Sequence, residues 1–246
     1  MQWIDDGIVL GVKRHGETSV ILELMTLERG RHLGLVRGGA GTRLRGVLQP
    51  GNLLRATWRA RLDEHLGHYA VEGLNLRAAG FLGAAHAVHG VTHAAELCRL
   101  LAEREPHAQV FSALQAVLDD IDAPLAAATS IARFELQMLA ELGFGLDLAS
   151  CAATGVTADL AYVSPRSGRA VSRAGGEEYR DKLLRLPEFL HADSEPRPAD
   201  LADAFALTGF FLDRHAFAPR GLELPASRGR FLAAIMRALP EQIPAA

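Results

Sequence analysis

The hydrophobic period of the chain changes once, near Gly80, and divides the sequence into a β-rich part and a helical part. Before Gly80, short apolar or alternating runs separated by glycines and turn residues predict strands. These runs are residues 7–12, 19–26, 32–36, 53–59 and 68–74. Five such strands are typical of a small Greek-key barrel of the OB type, although a small SH3-like barrel would give the same pattern.

After Gly80 the sequence is rich in alanine and leucine and predicts helices at residues 81–104, 107–121, 123–142, 200–214 and 226–239. In the clearest of these, Asp122 is the expected cap, Pro124 lies in the first turn and Gly143 is the expected stop. Glycines and a short β-like pair, at 160–163 and 170–171, interrupt the helical pattern. We therefore predict an α+β protein. Its β-barrel would span residues 1–79, and its helical domain would span 80–246 with an inserted β ribbon at about 151–183.

The charge of the chain is also divided between these two parts. A formal net charge of −3 argues by itself against a nucleic-acid-binding protein. Residues 1–80, however, carry 11 basic and eight acidic side chains, a net charge of +3, and the remaining 166 residues carry −6. The stretch from Arg29 to Arg61 holds eight arginines and no acidic residue, which favours contact with a nucleic-acid backbone. We predict nucleic-acid contacts at Arg31, Arg37, Arg43, Arg45, Arg55 and Arg59, with DNA as the ligand that the family resemblance described below implies.

The sequence shows none of the short patterns expected of common enzymes. The glycine-rich loop at 37–45 fits neither GxxxxGK[ST] nor GxGxxG, and GxSxG, SxxK and HExxH are absent. Two distant cysteines favour a reducing compartment. The absence of an apolar run of 18 residues and of a signal-like start predicts a cytoplasmic protein without membrane segments. We expect no catalytic site.

Two further features of the second part, a cysteine pattern and an arginine, each have a plain and a functional interpretation. Cys151 and Thr154 have the spacing of a CxxC metal motif that lacks its second thiol, so no metal is expected there. Arg133 is either an exposed helix arginine that pairs with Gln137 or Glu141, or a clamp for the carboxylate of a partner peptide. The sequence alone favours the exposed helix arginine.

Several separated motifs together resemble the RecO family of bacterial recombination mediators. They are Glu17-Thr18-Ser19, Leu24-Met25-Thr26, Arg37-Gly38-Gly39-Ala40, Leu48-Gln49-Pro50, Arg133-Phe134-Glu135, Leu142-Gly143-Phe144-Gly145, Tyr162-Val163-Ser164-Pro165 and Ser227-Arg228. The resemblance covers most of the chain, and the order and spacing of the motifs make it fairly specific.

The resemblance implies an N-terminal OB-fold, a helical C-terminal domain and, in some members, a zinc ribbon, but no enzyme active site. It also implies binding of single- and double-stranded DNA, strand annealing and association with RecR. It further implies contact with the acidic C-terminal tail of single-stranded-DNA-binding protein (SSB), help in loading RecA, and a place in the bacterial cytoplasm, at the nucleoid during repair. We predict that Arg133, Phe134 and Leu136 bind the SSB tail. The alternative is an interaction scaffold that binds no DNA itself.

The sequence departs from the family's zinc-binding pattern. Where zinc-binding members carry two CxxC pairs, this chain has Cys151 with Thr154, and then Ser172 and Gly175. We therefore expect a zinc-free ribbon and no cofactor.

Overall fold

The N-terminal sheet is a closed barrel. The computed structural model describes residues 1–239, so residues 240–246 of the predicted helical domain lie outside the described part. The strands of the barrel are β1 Gln2–His15, β2 Ser19–Thr26, β3 Gly30–Val36, β4 Leu53–Arg59 and β5 His68–Asn75. They follow the order β1-β2-β3-β5-β4, and only the β3–β5 pair is parallel. The predicted α+β fold class with an OB-like N-terminal sheet is confirmed.

Alternation along the strands separates the core of the barrel from its surface. On β4, Leu54, Ala56 and Trp58 are fully buried, whereas Arg55 and Arg59 are exposed between and beyond them. Successive side chains of a strand point to opposite faces, so the apolar set fills the interior and the arginines point outward. The fold therefore puts the basic residues of β4 on one outer face.

Strand β1 is longer than the apolar run at 7–12 that predicted it. Its first half pairs with β4 and its second half pairs with β2, and the register shifts between Val9 and Gly11. Such a bulge bends a strand, which lets one strand serve two neighbours of the barrel. The polar ends of β1 gave no apolar signal, because most of their side chains are exposed.

The first helices belong to the same compact unit as the barrel. They are α1 Thr42–Arg45, α2 Ala78–Phe81, α3 Ala85–Cys98 and α4 Ala108–Asp120. The unit spans Met1–Asp122, which differs from the predicted boundary at 79/80, where the chain changes from strand to helix. Polar contacts explain the difference, because Asn52 Oδ1 accepts the Ala78 N–H at 2.9 Å and Glu23 accepts a hydrogen bond from Arg99 at 2.8 Å. We call residues 1–122 the barrel unit.

The second compact unit begins at Ala123, and we call its described part, 123–239, the helical unit. Its helices are α5 Pro124–Glu141, α6 Arg173–Gly176, α7 Leu201–Leu212 and α8 Ala226–Ala238, with a π-helical turn at Asp213–Phe217. Strands β6 Leu160–Val163, β7 Ala170–Ser172 and β8 Leu184–Arg185 form a small sheet in the order β7-β6-β8. The predicted capping of α5 by Asp122 is wrong, because the backbone places the uncapped Ala123 at that position.

A buried ion pair joins three helices of the helical unit. Glu135 on α5 is fully buried and accepts hydrogen bonds from Arg228 on α8, at 2.7 and 3.0 Å. Thr208 on α7 donates its hydroxyl to the same carboxylate. Breaking a buried pair of this kind leaves an uncompensated charge, so Glu135 and Arg228 stabilise the packing of these helices only as a pair.

No helix within residues 1–239 is both long enough and apolar enough to cross a bilayer.

Candidate nucleic-acid interface

Two of the predicted arginines meet in one concavity of the barrel. This concavity, which we call the barrel cleft, has a volume of about 600 Å³ and is lined by Val36, Arg37, Leu44, Thr57, Arg59, His68, Tyr69, Ala70 and Val71. Arg37 follows β3, Arg59 ends β4, and His68 opens β5 opposite Arg59. The Arg37 guanidinium lies 3.2 Å from His68 Nε2. The lining of the cleft contains two cations and no carboxylate, which suits a polyanion.

A second, smaller concavity lies on the other side of α1. It has a volume of about 340 Å³, its lining includes Arg14, Arg45 and Gln49, and it also lacks carboxylates. Leu44 lines the barrel cleft and Arg45 lines this second concavity, so α1 separates the two. Arg43 is exposed on the same helix. The structure therefore places Arg37, Arg59, Arg43 and Arg45 along one region of the barrel.

Arg14 is a candidate that sequence reasoning missed. It lies near the end of β1, outside the acid-free stretch of 29–61 that drew attention to the other arginines. Only the closure of the barrel brings it beside Arg45. Strand pairing of β1 with β2 was predictable in outline, but the register that positions Arg14 was not.

Two predicted arginines are engaged elsewhere. Arg31 is held between the carboxylates of Glu23, at 2.9 Å, and Glu103, at 3.5 Å, and its side chain is only 14% exposed. Arg55 forms a bidentate ion pair with Asp6, in which Nε donates to Oδ1 at 2.9 Å and Nη2 donates to Oδ2 at 3.2 Å. A guanidinium that already neutralises a carboxylate has less to gain from a phosphate. We therefore base the interface on the other four predicted arginines and Arg14.

The glycine-rich loop after β3 uses its own backbone donors. The N–H groups of Gly39, Ala40 and Gly41 are bonded to the carbonyl oxygens of Val36, Thr18 and Gly38. Gly38 adopts a φ of +69°, which favours glycine. Since these three N–H groups are occupied, the loop does not offer them to a phosphate, which agrees with the absence of a nucleotide-binding pattern.

The aromatic residues of the barrel form a cluster in its interior rather than an open platform. Trp58 is fully buried and Tyr69 is 5% exposed, while Trp3 stacks on Trp58 with ring centroids 5.6 Å apart. The Tyr69 hydroxyl lies 2.8 Å from His32 Nδ1. Burial, and secondly the charge of Arg104, lower the pKa of His32 to about 4. These rings therefore belong to the core of the barrel, and the features that its outer surface offers a ligand are mainly its charges.

The structure separates the three predicted peptide-binding residues of α5. Arg133 is exposed, and its Nε and Nη2 donate to the Phe189 carbonyl at 3.2 and 2.9 Å. Leu136 is half-buried three residues along the helix. Phe134, in contrast, is 1% exposed and belongs to the core. Phe134 therefore cannot contact a peptide directly, whereas Arg133 and Leu136 share a helix face that can.

The four positions of the degenerate metal motif do come together. Cys151 Sγ accepts hydrogen bonds from the Ser172 N–H at 3.2 Å and the Ser172 hydroxyl at 3.3 Å, and a side chain on Gly175 would lie 3.2 Å from that sulfur. Burial acts to raise the pKa of Cys151, but hydrogen bonds from Ser172 and Thr154 lower it to about 6. One thiol among hydroxyls and a glycine is not the donor set of a tetrahedral zinc. Within residues 1–239, no group of three or more His, Cys, Asp or Glu side chains is arranged to hold a metal.

Comparison with known proteins gives a consistent result along nearly the whole chain. Residues 1–76 match the family described as recombination protein O, N terminal, and residues 84–222 match recombination protein O, C terminal. The chain is 60% identical to DNA repair protein RecO of Rhodopseudomonas palustris (strain BisB18) over 241 residues, which is 96% of this chain and 95% of that relative. It is 59% identical to DNA repair protein RecO of Bradyrhizobium diazoefficiens, with 96% of both chains covered. The corresponding protein of Nitrobacter hamburgensis is 58% identical over 96% of this chain and 95% of its own length.

Proposed function

Because the chain belongs to the RecO family, with a role in DNA repair and recombination, we propose that it is a recombination mediator that binds and anneals single-stranded DNA. It would act with RecR and help to load RecA onto DNA covered by SSB. Double-stranded DNA would bind to the same basic surface. The proposal assigns no catalytic step to the chain, and places it in the bacterial cytoplasm, at the nucleoid during repair.

One observation supports direct DNA binding above the others. Arg37 and Arg59 converge, with His68, on a cleft whose lining contains no carboxylate. Each arginine can neutralise a phosphate and release its counterions, which supplies affinity without regard to sequence. A mediator that anneals arbitrary strands needs that kind of contact, because it must bind every sequence and leave the base edges free to pair.

The two basic concavities extend this contact along a strand. Arg43 is exposed on α1, the helix that also carries Leu44 of the barrel cleft and Arg45 of the second concavity. We propose that successive phosphates follow this path over α1. The long, flexible arginine side chains can follow a backbone whose bases stay exposed to a second strand.

The partner surface would be carried by the helical unit. Arg133 uses two of the five N–H donors of its guanidinium on the Phe189 carbonyl, and this contact fixes the plane of the group. We propose that the fixed guanidinium receives the carboxylate of the SSB tail, with apolar contact from Leu136 beside it. RecR is the other proposed protein partner.

A salt titration with two matched arginine variants tests direct DNA binding. Arg55 and Arg59 lie on the same face of β4, but Arg55 is paired with Asp6 whereas Arg59 lines the cleft. Fluorescence anisotropy with labelled oligo(dT) should show an affinity that falls with rising salt. A plot of the logarithm of the binding constant against the logarithm of the salt concentration should fall with a slope of about 0.7 per contacted phosphate. Arg59→Ala should lower both the affinity and the slope, whereas Arg55→Ala should change them less.

The alternative function makes the opposite prediction. An interaction scaffold without DNA binding gives no anisotropy change with oligo(dT), or one that is insensitive to salt. Equal effects of Arg55→Ala and Arg59→Ala would instead remove the barrel cleft from the proposal.

A further inference from the structure

An aromatic ring that the proposed interface does not use is exposed on the helical unit. Phe144, just after α5, is 39% exposed. Its backbone is fixed, because the Phe144 N–H bonds to the Leu139 carbonyl at 2.8 Å and the Gly143 N–H bonds to the Ala140 carbonyl at 3.0 Å. Gly143 has a φ of +86°, so this is a Schellman helix end. The backbone that carries the ring is therefore held in place.

The ring of Phe144 ends a column of near-parallel rings that begins in the core. It stacks on His215 with centroids 4.8 Å apart and planes 14° apart. His215 in turn lies parallel to Phe211, at 6.0 Å and 6°, and Phe211 is 1% exposed. The π-helical turn Asp213–Phe217 carries His215, and π-helical turns are frequent at functional sites.

Three arginines lie on the segments next to this column. A Cβ added at Gly168 would lie 3.2 Å from Leu146 and 3.8 Å from Phe211, so the turn that carries Arg166 and Arg169 approaches the segment just after Phe144. Arg214, next to His215, donates to the Pro165 carbonyl at 3.3 Å. Arg166 is exposed, and Arg169 pairs with Asp147. The segments next to the column thus carry three arginines and the two acidic residues Asp147 and Asp213.

We propose that Phe144 is a stacking platform for a base of single-stranded DNA, with Arg166 and Arg214 beside it for the flanking phosphates. The inference rests on the proposed function and adds a contact on the helical unit. Stacking suits a protein that reads no sequence, since every base offers a flat face. Gly143 and Gly145 flank the ring and have no side chains to build the wide apolar patch that a protein partner would bury. These features favour a nucleobase over a peptide.

Substitution of the ring tests the proposal. Phe144→Leu keeps an apolar side chain but removes the aromatic face, and should weaken oligo(dT) binding by about fivefold or more. Phe144→Trp should retain the affinity. Binding of blunt double-stranded DNA should be unaffected by Phe144→Leu, because its bases are already stacked. Tyr179→Ala is the control, since Tyr179 is 56% exposed on the same unit and has no place in the column.

Photo-crosslinking gives a direct readout of position. An oligo(dT) that carries one 5-iodouracil should crosslink to the tryptic peptide 134–166, which contains Phe144. Unchanged oligo(dT) affinity in Phe144→Leu, or equal weakening in Tyr179→Ala, would overturn the inference. If Arg59→Ala weakens binding while Phe144→Leu does not, the proposed function stands and only the platform fails. If the unmodified protein binds no DNA, both fail.

Discussion

At the scale of single residues, His32 makes the barrel sensitive to acid. Its ring is 3% exposed, lies edge-on to Trp3 and Trp58, and contacts the Tyr69 hydroxyl. The pKa of His32 is lowered from 6.5 to about 4 by burial and by Arg104. In the unfolded chain the His32 ring therefore becomes protonated below about pH 6.5, whereas in the folded barrel it becomes protonated only below about pH 4. His32 therefore does not change the free energy of unfolding of the barrel above pH 6.5, and it lowers that free energy as the pH drops from 6.5 toward 4.

We expect this single group to remove about 2 kcal/mol of barrel stability between pH 7.5 and pH 5. Urea unfolding followed by tryptophan fluorescence measures it, because Trp3 and Trp58 are the two tryptophans of the chain and both contact His32. His32→Gln should reduce the loss of unfolding free energy between pH 7.5 and pH 5. His68→Gln, at an exposed position of the same barrel, should leave that loss unchanged. A His32→Gln barrel with undiminished acid sensitivity would contradict the assignment.

Residues that are close in sequence formed a common binding site only where the fold turned their side chains to the same surface. Arg133, Phe134 and Leu136 looked like one peptide-binding group, but a helix turns 100° per residue, so Phe134 faces the core and is 1% exposed. Arg31 and Arg59 looked alike in sequence, yet Arg31 forms an ion pair with Glu23 whereas Arg59 lines the barrel cleft. Contacts between segments that are distant in sequence determine which of these side chains a ligand can reach, and such contacts cannot be derived from a single sequence.

At the scale of elements, the ribbon of β6, β7 and β8 shows what can replace a metal. Ser172 accepts a hydrogen bond from the Gly175 N–H as the cap of α6 and donates one to Cys151 Sγ. These contacts join the two turns that a zinc would otherwise hold. The missing ligands were readable in the sequence, whereas the hydrogen bonds that take their place were not.

Ser172→Ala should therefore destabilise the helical unit by about 1–2 kcal/mol, through the loss of a cap and a buried hydrogen bond. Urea unfolding followed by circular dichroism measures the change. Ser167→Ala is the matched control, because Ser167 is exposed in the turn between β6 and β7. We also expect no stoichiometric zinc in the purified protein and no change of stability with a chelator. One zinc per chain would refute a zinc-free ribbon.

Strand β4 and helix α5 illustrate which elements were predictable. The alternation of Leu54, Ala56 and Trp58 placed β4 at its observed bounds, and α5 begins and ends within one residue of its prediction. Both bury a regular apolar set, which is the signal that periodicity detects. Strand β1 bends at a bulge and exposes its ends, and its length escaped prediction for that reason.

At the scale of the whole molecule, the net charge of −3 hides a basic N-terminal part and an acidic remainder. The basic part carries the two concavities of the barrel, and the acidic remainder carries the exposed Arg133. A local field acts over roughly one Debye length, about 8 Å at physiological salt, so each proposed site depends on the arginines beside it and not on the net charge of the chain. The two proposed binding activities should therefore be separable by mutation.

Arg133→Glu should weaken binding of a synthetic acidic peptide with the SSB tail sequence by about tenfold or more, because it places a carboxylate against a carboxylate. Its affinity for oligo(dT) should not change. The double substitution Arg37→Glu and Arg59→Glu should have the reverse effect, since both side chains line the barrel cleft. Arg230→Glu, at an exposed position of α8, controls for the change in net charge. Anisotropy titrations with each labelled ligand decide the matter: loss of both activities in either variant would mean that DNA and peptide share one surface, and unchanged peptide binding in Arg133→Glu would place the tail elsewhere.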